Sequence, residues 1–153
     1  MKRKDLLILS NLRLNARTTL TDISKNTSIP VTTVYDHLKK YEKELIAKNA
    51  CLLDFRKMGY RSKAKIALRV DNNHRDLISF LQAHPSVNSV YRLNSDFDAN
   101  FDFMVEVICR EPKDVDNFMK ELSSEFPVTN SIVFNVAEDL KREEFLTRIH
   151  DEK

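Results

Sequence analysis

TLTDISKNTSIPVTTVYDHLKKYE, residues 19–42, is the stretch that decides the fold. It contains two short amphipathic segments separated by a polar turn, Asn26-Thr27-Ser28. Thr19 is expected to cap the first helix, with Ile23 facing inward. Pro30 pre-sets the backbone for the start of the second helix. Two short helices joined in this way are typical of a helix-turn-helix, whose second helix enters the major groove of DNA.

The second helix of this motif has a clear division between an apolar and a polar side. Val34, Leu38 and Tyr41 recur at i, i+4 and i+7 and form its buried stripe. The polar residues on the remaining surface, together with the cap residue of the preceding helix, are the candidate DNA-binding residues: Thr19, Thr32, Thr33, Tyr35, Asp36, Lys39 and Lys40.

Each candidate has a distinct role available to it on DNA. Thr32 and Thr33 could contact a phosphate or a thymine methyl group, and Tyr35 could stack or donate to a phosphate. The two lysines would neutralise phosphates. Asp36 is repelled by DNA unless it accepts a hydrogen bond from a cytosine amino group or pairs with a neighbouring lysine.

The distribution of charge also favours a polyanionic partner for the first third of the chain. The whole chain has a formal net charge of only +2. Residues 1–50 contain ten Lys and Arg but only five Asp and Glu, a net charge of +5, whereas residues 51–153 have fifteen bases and eighteen acids, a net charge of −3. A solvated lysine-rich surface would explain this charge but not its coincidence with the motif.

The segments around the motif complete a small DNA-binding domain. Asp5 is the expected N-cap of a first helix that carries Ile8, Leu9 and Leu12 at helical spacing. Asn15-Ala16-Arg17 should end that helix. After the motif, Leu45-Ile46 and Asn49–Asp54 are interpreted as a β-wing.

The remaining two-thirds of the chain alternate between strand and helix periods. Strands are predicted at Ser62–Val70, Val87–Leu93, Phe101–Cys109 and Val128–Val136, and helices at Asn73–Ala83 and from Pro112. The order βαββαβ predicts an antiparallel sheet with two helices on one face, so the fold class is α+β. The expected domains are 1–54 for DNA binding, a hinge at 55–61, the ferredoxin-like domain at 62–145 and a tail at 146–153.

The predicted sheet is apolar on both faces. In the second strand Tyr91 alternates with Val90, and in the third strand Met104 and Ile108 lie opposite the side that carries Phe103. Because two helices can cover only one face, the other face predicts a partner subunit, and hence a dimer.

The amino-acid composition argues against several other classes of function. Gly59 is the only glycine, which predicts a turn or hinge and excludes a phosphate-binding glycine-rich loop. Cys51 and Cys109 lie in apolar runs, the four histidines are scattered, and no metal or cofactor is expected. No apolar run is long enough to cross a bilayer. We therefore expect a cytoplasmic, nucleoid-associated protein without a membrane partner.

From Asp5 through the helix-turn-helix and the segment LIAKNACLLDFRKMGY to about Phe145, the chain resembles the Lrp/AsnC family of prokaryotic regulators, archaeal members most closely. The resemblance implies a winged helix-turn-helix, a ferredoxin-like domain that packs sheet on sheet in a dimer, and further assembly into tetramers or octamers. It also implies transcription regulation through double-stranded DNA, and no enzyme activity.

The resemblance further implies a small-molecule effector, usually an amino acid, near the loop between the second and third strands. Where the family commonly has Thr-Gly, this chain has Asn94-Ser95, and the loop looks longer. The candidate effector residues are Asn94, Ser95, Asp96, Asp98 and Asp102. A solvated acidic loop is the alternative, and calcium is disfavoured because the loop lacks a bidentate glutamate and a turn glycine.

Three other functions are considered. Sirohaem decarboxylases resemble the same family, but His74, His84, Arg69, Arg75 and Arg92 form no convergent set in the sequence. RNA binding by the sheet is disfavoured because FDFMVEV lacks the aromatic and basic pattern of RNA-binding strands. An interaction module that uses its helix-turn-helix for protein contacts would differ from the main hypothesis in lacking salt-dependent DNA binding.

Overall fold

The computed structural model describes residues 1–94 and 101–147 of the 153-residue chain. These residues form two compact units, residues 1–53 with the chain from Leu140 onward, and Asp54–Asp139. The first unit contains α1 (Arg3–Leu14), α2 (Leu20–Thr27) and α3 (Val31–Glu44). The second contains the elements β1 (Ser62–Val70), α4 (His74–Ala83), β2 (Val87–Arg92), β3 (Phe103–Cys109), α5 (Pro112–Glu125) and β4 (Val128–Asn135).

Helix α1 begins earlier than predicted. Lys2, not Asp5, is its N-cap, and the prediction for Asp5 is wrong by three positions. Asp5 lies in the first turn, where its carboxylate accepts a hydrogen bond from the Lys2 backbone N–H at 2.8 Å. A carboxylate there satisfies a backbone donor and interacts favourably with the helix dipole, so it can start a helix from this position as well. The helix ends at Leu14 and Asn15 is its C-cap, which confirms the predicted end.

Helix α2 is capped as predicted but runs further. The Thr19 hydroxyl oxygen accepts from the Asp22 backbone N–H at 3.1 Å. The helix continues through Thr27, so the predicted turn at 26–28 is wrong by two residues and the observed turn is Ser28-Ile29-Pro30. The Thr27 hydroxyl donates to the Ile23 carbonyl at 2.6 Å, which keeps this residue within the helix.

Ser28 is the point at which the chain reverses between α2 and α3. Its backbone is left-handed, with φ 57° and ψ 24°, and its side chain is exposed. A residue with a Cβ atom is strained in this conformation. We expect Ser28→Gly to raise the free energy of unfolding by about 0.5–1 kcal/mol and Ser28→Val to lower it, measured by urea denaturation. If Ser28→Val instead raised the free energy of unfolding, the left-handed backbone of Ser28 would not be a source of strain.

The three helices of the first unit enclose one apolar core. Its buried members are Ile8, Ile23, Ile29, Val34 and Tyr41. The predicted buried stripe of α3 is confirmed at Val34 and Tyr41, whereas Leu38 is only half-buried and is not among the side chains packed against this core. A helix as short as α2 is marginal in water, and it is stabilised here by the burial of Ile23.

The predicted wing strand is wrong for the described residues. Positions 46–54 have no regular structure, and every strand that the structure describes belongs to the four-stranded sheet. A strand needs a neighbour to receive its backbone hydrogen bonds, and within the described chain nothing pairs with this segment. Residues 55–59 then form a turn in which Gly59 has φ +90°, which confirms a turn at that glycine.

The second unit is an antiparallel sheet in the order β2-β3-β1-β4. One face of β1, with Ala64, Ile66, Leu68 and Val70, is buried as the alternation predicted. Helices α4 and α5 cover this face through a set of leucine, valine and phenylalanine side chains: Leu77, Leu81, Val115, Phe118 and Leu122. The βαββαβ prediction is confirmed.

Three strand ends differ from prediction, one of them in β4, which ends at Asn135 rather than Val136. β2 ends at Arg92, and β3 begins at Phe103 rather than Phe101. Asp102 explains the later start, because its backbone N–H donates to the Leu68 carbonyl at 2.7 Å and its carboxylate accepts from the Val70 N–H at 3.3 Å. Asp102 thus closes the end of β1 before β3 enters the regular ladder.

The chain beyond β4 returns to the first unit. Arg13 of α1 donates to the Glu143 carbonyl at 2.8 Å and to the Phe145 carbonyl at 3.2 Å. The Ser10 hydroxyl donates to the Thr147 carbonyl at 3.3 Å. These contacts group the chain from Leu140 with α1, whereas the sequence placed residues up to 145 with the sheet.

Candidate nucleic-acid interface

Helix α3 presents a polar surface on the side opposite its buried stripe. At 100° per residue, Thr32, Asp36, Lys39 and Lys43 lie around the centre of that surface, and all are exposed. Lys43 was missed by the sequence reasoning, although its spacing of i+4 from Lys39 is the signal that could have found it. A line of small, acidic and basic side chains can present both donors and acceptors to base edges.

The other candidates on α3 lie at the two flanks of this surface. Tyr35 is on one flank and is 51% exposed. Thr33 and Lys40 are on the other, with Thr33 half-buried and Lys40 exposed. Lys40 forms an ion pair with Glu44 at 3.7 Å. The two lysines therefore differ in their surroundings, because a phosphate would have to compete with Glu44 for Lys40.

Asp36 does not pair with its neighbouring lysines. Among the residues that the structure describes, no ion pair or side-chain hydrogen bond involves it. Of the two roles considered for Asp36, the structure does not contain the local pairing, and the carboxylate is exposed at the centre of the α3 surface.

The hydroxyl group of Thr19 is already hydrogen-bonded within its own helix, α2. Its hydroxyl hydrogen is donated to the Asp22 carboxylate at 2.6 Å while its oxygen accepts from the Asp22 backbone. Asp22 also places a negative charge at the same helix end. A phosphate approaching Thr19 would therefore need to displace a hydrogen bond and approach an acidic side chain.

Behind this surface, three polar side chains join α3 to α1. The Tyr41 hydroxyl donates to the Asp5 carboxylate at 2.5 Å. His37 Nδ1 lies 2.9 Å from the Tyr41 hydroxyl oxygen and 3.0 Å from Asp5 Oδ1. We call Asp5, His37 and Tyr41 the α1–α3 cluster. Sequence reasoning missed it, because Asp5 was interpreted only as a cap and Tyr41 only as an apolar residue.

The α1–α3 cluster holds Asp5 in its charged form and Tyr41 in its neutral form. The Tyr41 hydroxyl, followed by the Lys2 backbone N–H, lowers the pKa of Asp5 below its ordinary value. Burial, followed by the hydrogen bond to Asp5, raises the pKa of Tyr41 well above its ordinary value. A buried tyrosine that stays neutral keeps its hydrogen on the bond to Asp5, which fixes the side of α3 that faces α1.

The candidate effector residues are only partly within the described chain. Asn94 is exposed, whereas Ser95, Asp96 and Asp98 lie outside the described residues. Asp102 is half-buried, and besides accepting from Val70 it lies 3.9 Å from His74 Nε2. Asp102 therefore has a structural role at the end of β1.

The two histidines considered for an enzyme lie apart within the second unit. His74 and His84 are at opposite ends of α4, about 15 Å apart for ten residues of helix. His74 bonds to the Val70 carbonyl at 2.8 Å, and His84 lies 3.5 Å from Glu121. In the part of the chain that the structure describes, no group of His, Cys, Asp and Glu has metal-binding geometry, and no helix has the length and apolarity of a membrane span.

The sheet face opposite α4 and α5 carries exposed apolar side chains around a buried alanine, Ala67. Tyr91, Met104, Ala67 and Ile132 are aligned across all four strands, and Phe134 lies beside Ile132 on the same face. Tyr91 is 58% exposed and Phe134 49% exposed. We call these five residues the open sheet face.

A network of three charged side chains, Lys63, Glu106 and Asp139, adjoins the open sheet face. Glu106 is buried and accepts a hydrogen bond from the Asn88 amide at 2.5 Å. Lys63 Nζ lies 3.2 Å from Glu106 and 2.8 Å from Asp139. This network can be covered by another surface at less cost than isolated charges, because each charge already has a partner.

Comparison with known protein families gives a match for the first unit. Residues 1–44 match the family described as winged helix-turn-helix DNA-binding. The match covers α1, α2 and α3, the helices that form the candidate surface.

Comparison with individual proteins extends the likeness to both units. The chain is 25% identical over 122 residues, 78% of each chain, to the HTH-type transcriptional regulator FL11 of Pyrococcus horikoshii. The transcriptional regulator NMB0573 of Neisseria meningitidis, solved in complex with L-Met, superposes with a TM-score of 0.82 at 19% identity, over 93% of both chains. LrpC of B. subtilis has a TM-score of 0.81 at 16% identity, over 92% of this chain and 97% of its own.

Proposed function

We propose that this chain is a transcriptional regulator of the Lrp/AsnC type and that it acts by inserting α3 into the major groove of duplex DNA. The observation that carries this proposal is the exposed surface of α3, on which Thr32, Asp36, Lys39 and Lys43 are presented together. The opposite side of the same helix is buried against α1 and α2, so the surface is held by a packed core. A helix of this diameter fits the major groove.

Thr32 is the residue that we expect to report on sequence recognition. It is exposed in the first turn of α3, and the N-terminal part of a recognition helix contacts base edges. We expect Thr32→Ala to lower affinity for the specific duplex by roughly 1–3 kcal/mol and to leave binding to random DNA unchanged. Thr129→Ala, which truncates an exposed threonine in β4 of the second unit, is the control. Equal losses on specific and random duplexes would contradict base contact by Thr32.

The experiment that tests the function itself is a titration of fluorescent duplexes at several salt concentrations, with genomic fragments used to select specific sites. Sequence-specific DNA binding requires that the logarithm of the affinity falls linearly with the logarithm of the salt concentration, and that selected sites are preferred over random DNA. If the protein bound no duplex at low salt, the proposed function would be overturned. The result would favour the alternative in which the helix-turn-helix contacts another protein.

We propose further that the binding unit is a dimer joined through the open sheet face. The face carries large apolar side chains that water contacts in a single chain, and the buried Glu106 beside it is paired with Lys63. A second copy presents the same surface, so the contact is self-complementary about a two-fold axis. Tetramers or octamers would need a further interface. Two copies would place two α3 helices at half-sites about 34 Å apart or a multiple of it.

We propose an amino acid as the effector class, which is supported by the L-Met complex of the Neisseria protein. An effector that binds the folded protein raises its melting temperature by mass action. Thermal unfolding in the presence of each standard amino acid therefore tests the proposal, and no shift at millimolar concentration of any of them would overturn it. We propose that the protein acts on genomic DNA in the cytoplasm, as part of the nucleoid, and that it is not an enzyme.

A further inference from the structure

We propose that His37 is a contact to the DNA backbone and that its imidazole takes up a proton when DNA binds, so that the affinity for DNA rises as the pH falls. This inference rests on the proposed entry of α3 into the major groove. His37 is outside the set of residues that the sequence assigned to DNA.

The position of His37 on α3 suits a phosphate rather than a base. At 100° per residue it lies between the buried stripe and the exposed surface, on the same flank as Thr33 and Lys40. An α-helix with its side chains is about 10–12 Å wide and the major groove about 12 Å. The flanks of an inserted helix therefore meet the two phosphate backbones, while the centre of its exposed surface meets the bases.

The hydrogen bonds of the α1–α3 cluster determine which ring nitrogen is available. Nδ1 is within hydrogen-bond distance of the Asp5 carboxylate and of the Tyr41 hydroxyl oxygen. Tyr41 donates its own hydrogen to Asp5, so both neighbours of Nδ1 are acceptors. Nδ1 must therefore carry a hydrogen. Nε2 has no hydrogen-bond partner among the described residues, and the side chain is 31% exposed.

A phosphate oxygen can only accept a hydrogen bond. A neutral imidazole has a single N–H, which is already required at Nδ1, so its Nε2 would meet a phosphate as a second acceptor. Contact with phosphate therefore requires a hydrogen on both nitrogens, that is, the charged imidazolium. The proton taken up on binding makes the contact charge-assisted on both sides, with Asp5 on Nδ1 and phosphate on Nε2.

Charged groups lie near His37 on both helices. Asp5 of α1 is the nearest, with Oδ1 3.0 Å from Nδ1 of His37. On α3, Lys40 and Glu44 lie one and two turns along the same flank, and they form an ion pair with each other at 3.7 Å. Tyr41 stays neutral. The proton that the phosphate contact requires therefore goes to Nε2 of His37.

The test compares wild type with His37→Asn, because asparagine can keep a donor near Nδ1 but has no atom at Nε2. Affinity for one specific duplex is measured between pH 5.5 and 8.5 at constant ionic strength. We expect the wild-type affinity to fall with rising pH by up to about tenfold per pH unit and per copy, the limit for one linked proton. The variant should lack that component and match wild type at pH 8.5. The difference isolates His37 from the other histidines.

A second readout follows from counterion release. At pH 6 the variant should have a salt slope that is shallower by about 0.9 per copy, and at pH 8.5 the two slopes should agree. A wild-type pH dependence that persists in the variant would overturn the proposal. If His37→Asn does not fold, nitrogen-detected NMR of the wild-type imidazole decides: both ring nitrogens must be protonated on adding DNA at neutral pH. If wild type binds no duplex at any pH, the proposed function fails, and this inference with it.

Discussion

Met104→Arg is expected to convert the protein to single copies and to weaken its binding to a duplex with two half-sites by at least about 100-fold. Met104 is at the centre of the open sheet face, between Tyr91 and Ala67 in the strand register. In a sheet-to-sheet dimer, an arginine there would be desolvated opposite another copy of itself without a partner charge. Analytical ultracentrifugation and DNA titration measure the two effects.

The large loss of affinity for a duplex with two half-sites is expected because the dimer joins two DNA-binding units. When one α3 is bound, the second is held near its half-site at a high effective concentration, and separate chains lose that advantage. Binding to a duplex with a single half-site should therefore be unchanged. Asn117→Arg, which adds the same charge at an exposed position on α5, is the control. A Met104→Arg protein that remains a dimer would place the interface elsewhere.

The combined change of Lys39 and Lys40 to alanine is the second large effect. Loss of two phosphate contacts should weaken binding to all duplexes by roughly 10- to 100-fold and make the salt slope shallower by about 0.9 for each contact. We expect Lys39→Ala to account for more of the loss, because Lys40 is already paired with Glu44. Fluorescence titration at four salt concentrations gives both quantities.

The control for the lysine variants is Lys120→Ala, which removes one positive charge from an exposed position on α5. It should leave the salt slope unchanged. If Lys40→Ala alone has the larger effect, Glu44 does not hold Lys40 away from DNA. If neither lysine changes the slope, α3 is not the element that contacts phosphates.

The regular spacing of apolar residues within each helix and strand made most of the fold predictable. Ser62–Val70 was predicted with the bounds that the structure has, because alternate residues of a strand packed on one side by helices must be apolar. The same reasoning identified the buried positions of α3 at Val34 and Tyr41. Such patterns are local, and they can be found wherever one side of an element is buried.

Features that depend on a distant partner were the ones that sequence reasoning missed or misplaced. Residues 49–54 had the composition of a strand but, in the described chain, no neighbour to pair with. Arg13 gave no sign that it bonds to carbonyl groups of Glu143 and Phe145, since these residues lie about 130 positions away.

The candidate DNA surface shows the same division. The amino-acid order sufficed to identify the helix-turn-helix and the polar residues on α3, because helical spacing alone decides which side chains share a surface. The sequence could not show that Asp5 and Tyr41 both lie within hydrogen-bond distance of Nδ1 of His37. Asp5 is 32 residues before His37, and the three side chains meet only when α1 packs on α3. The spacing of apolar residues along the chain shows which side of a helix or strand is buried. Hydrogen bonds between polar side chains on different helices depend on where the helices lie in space, and only the tertiary structure determines that.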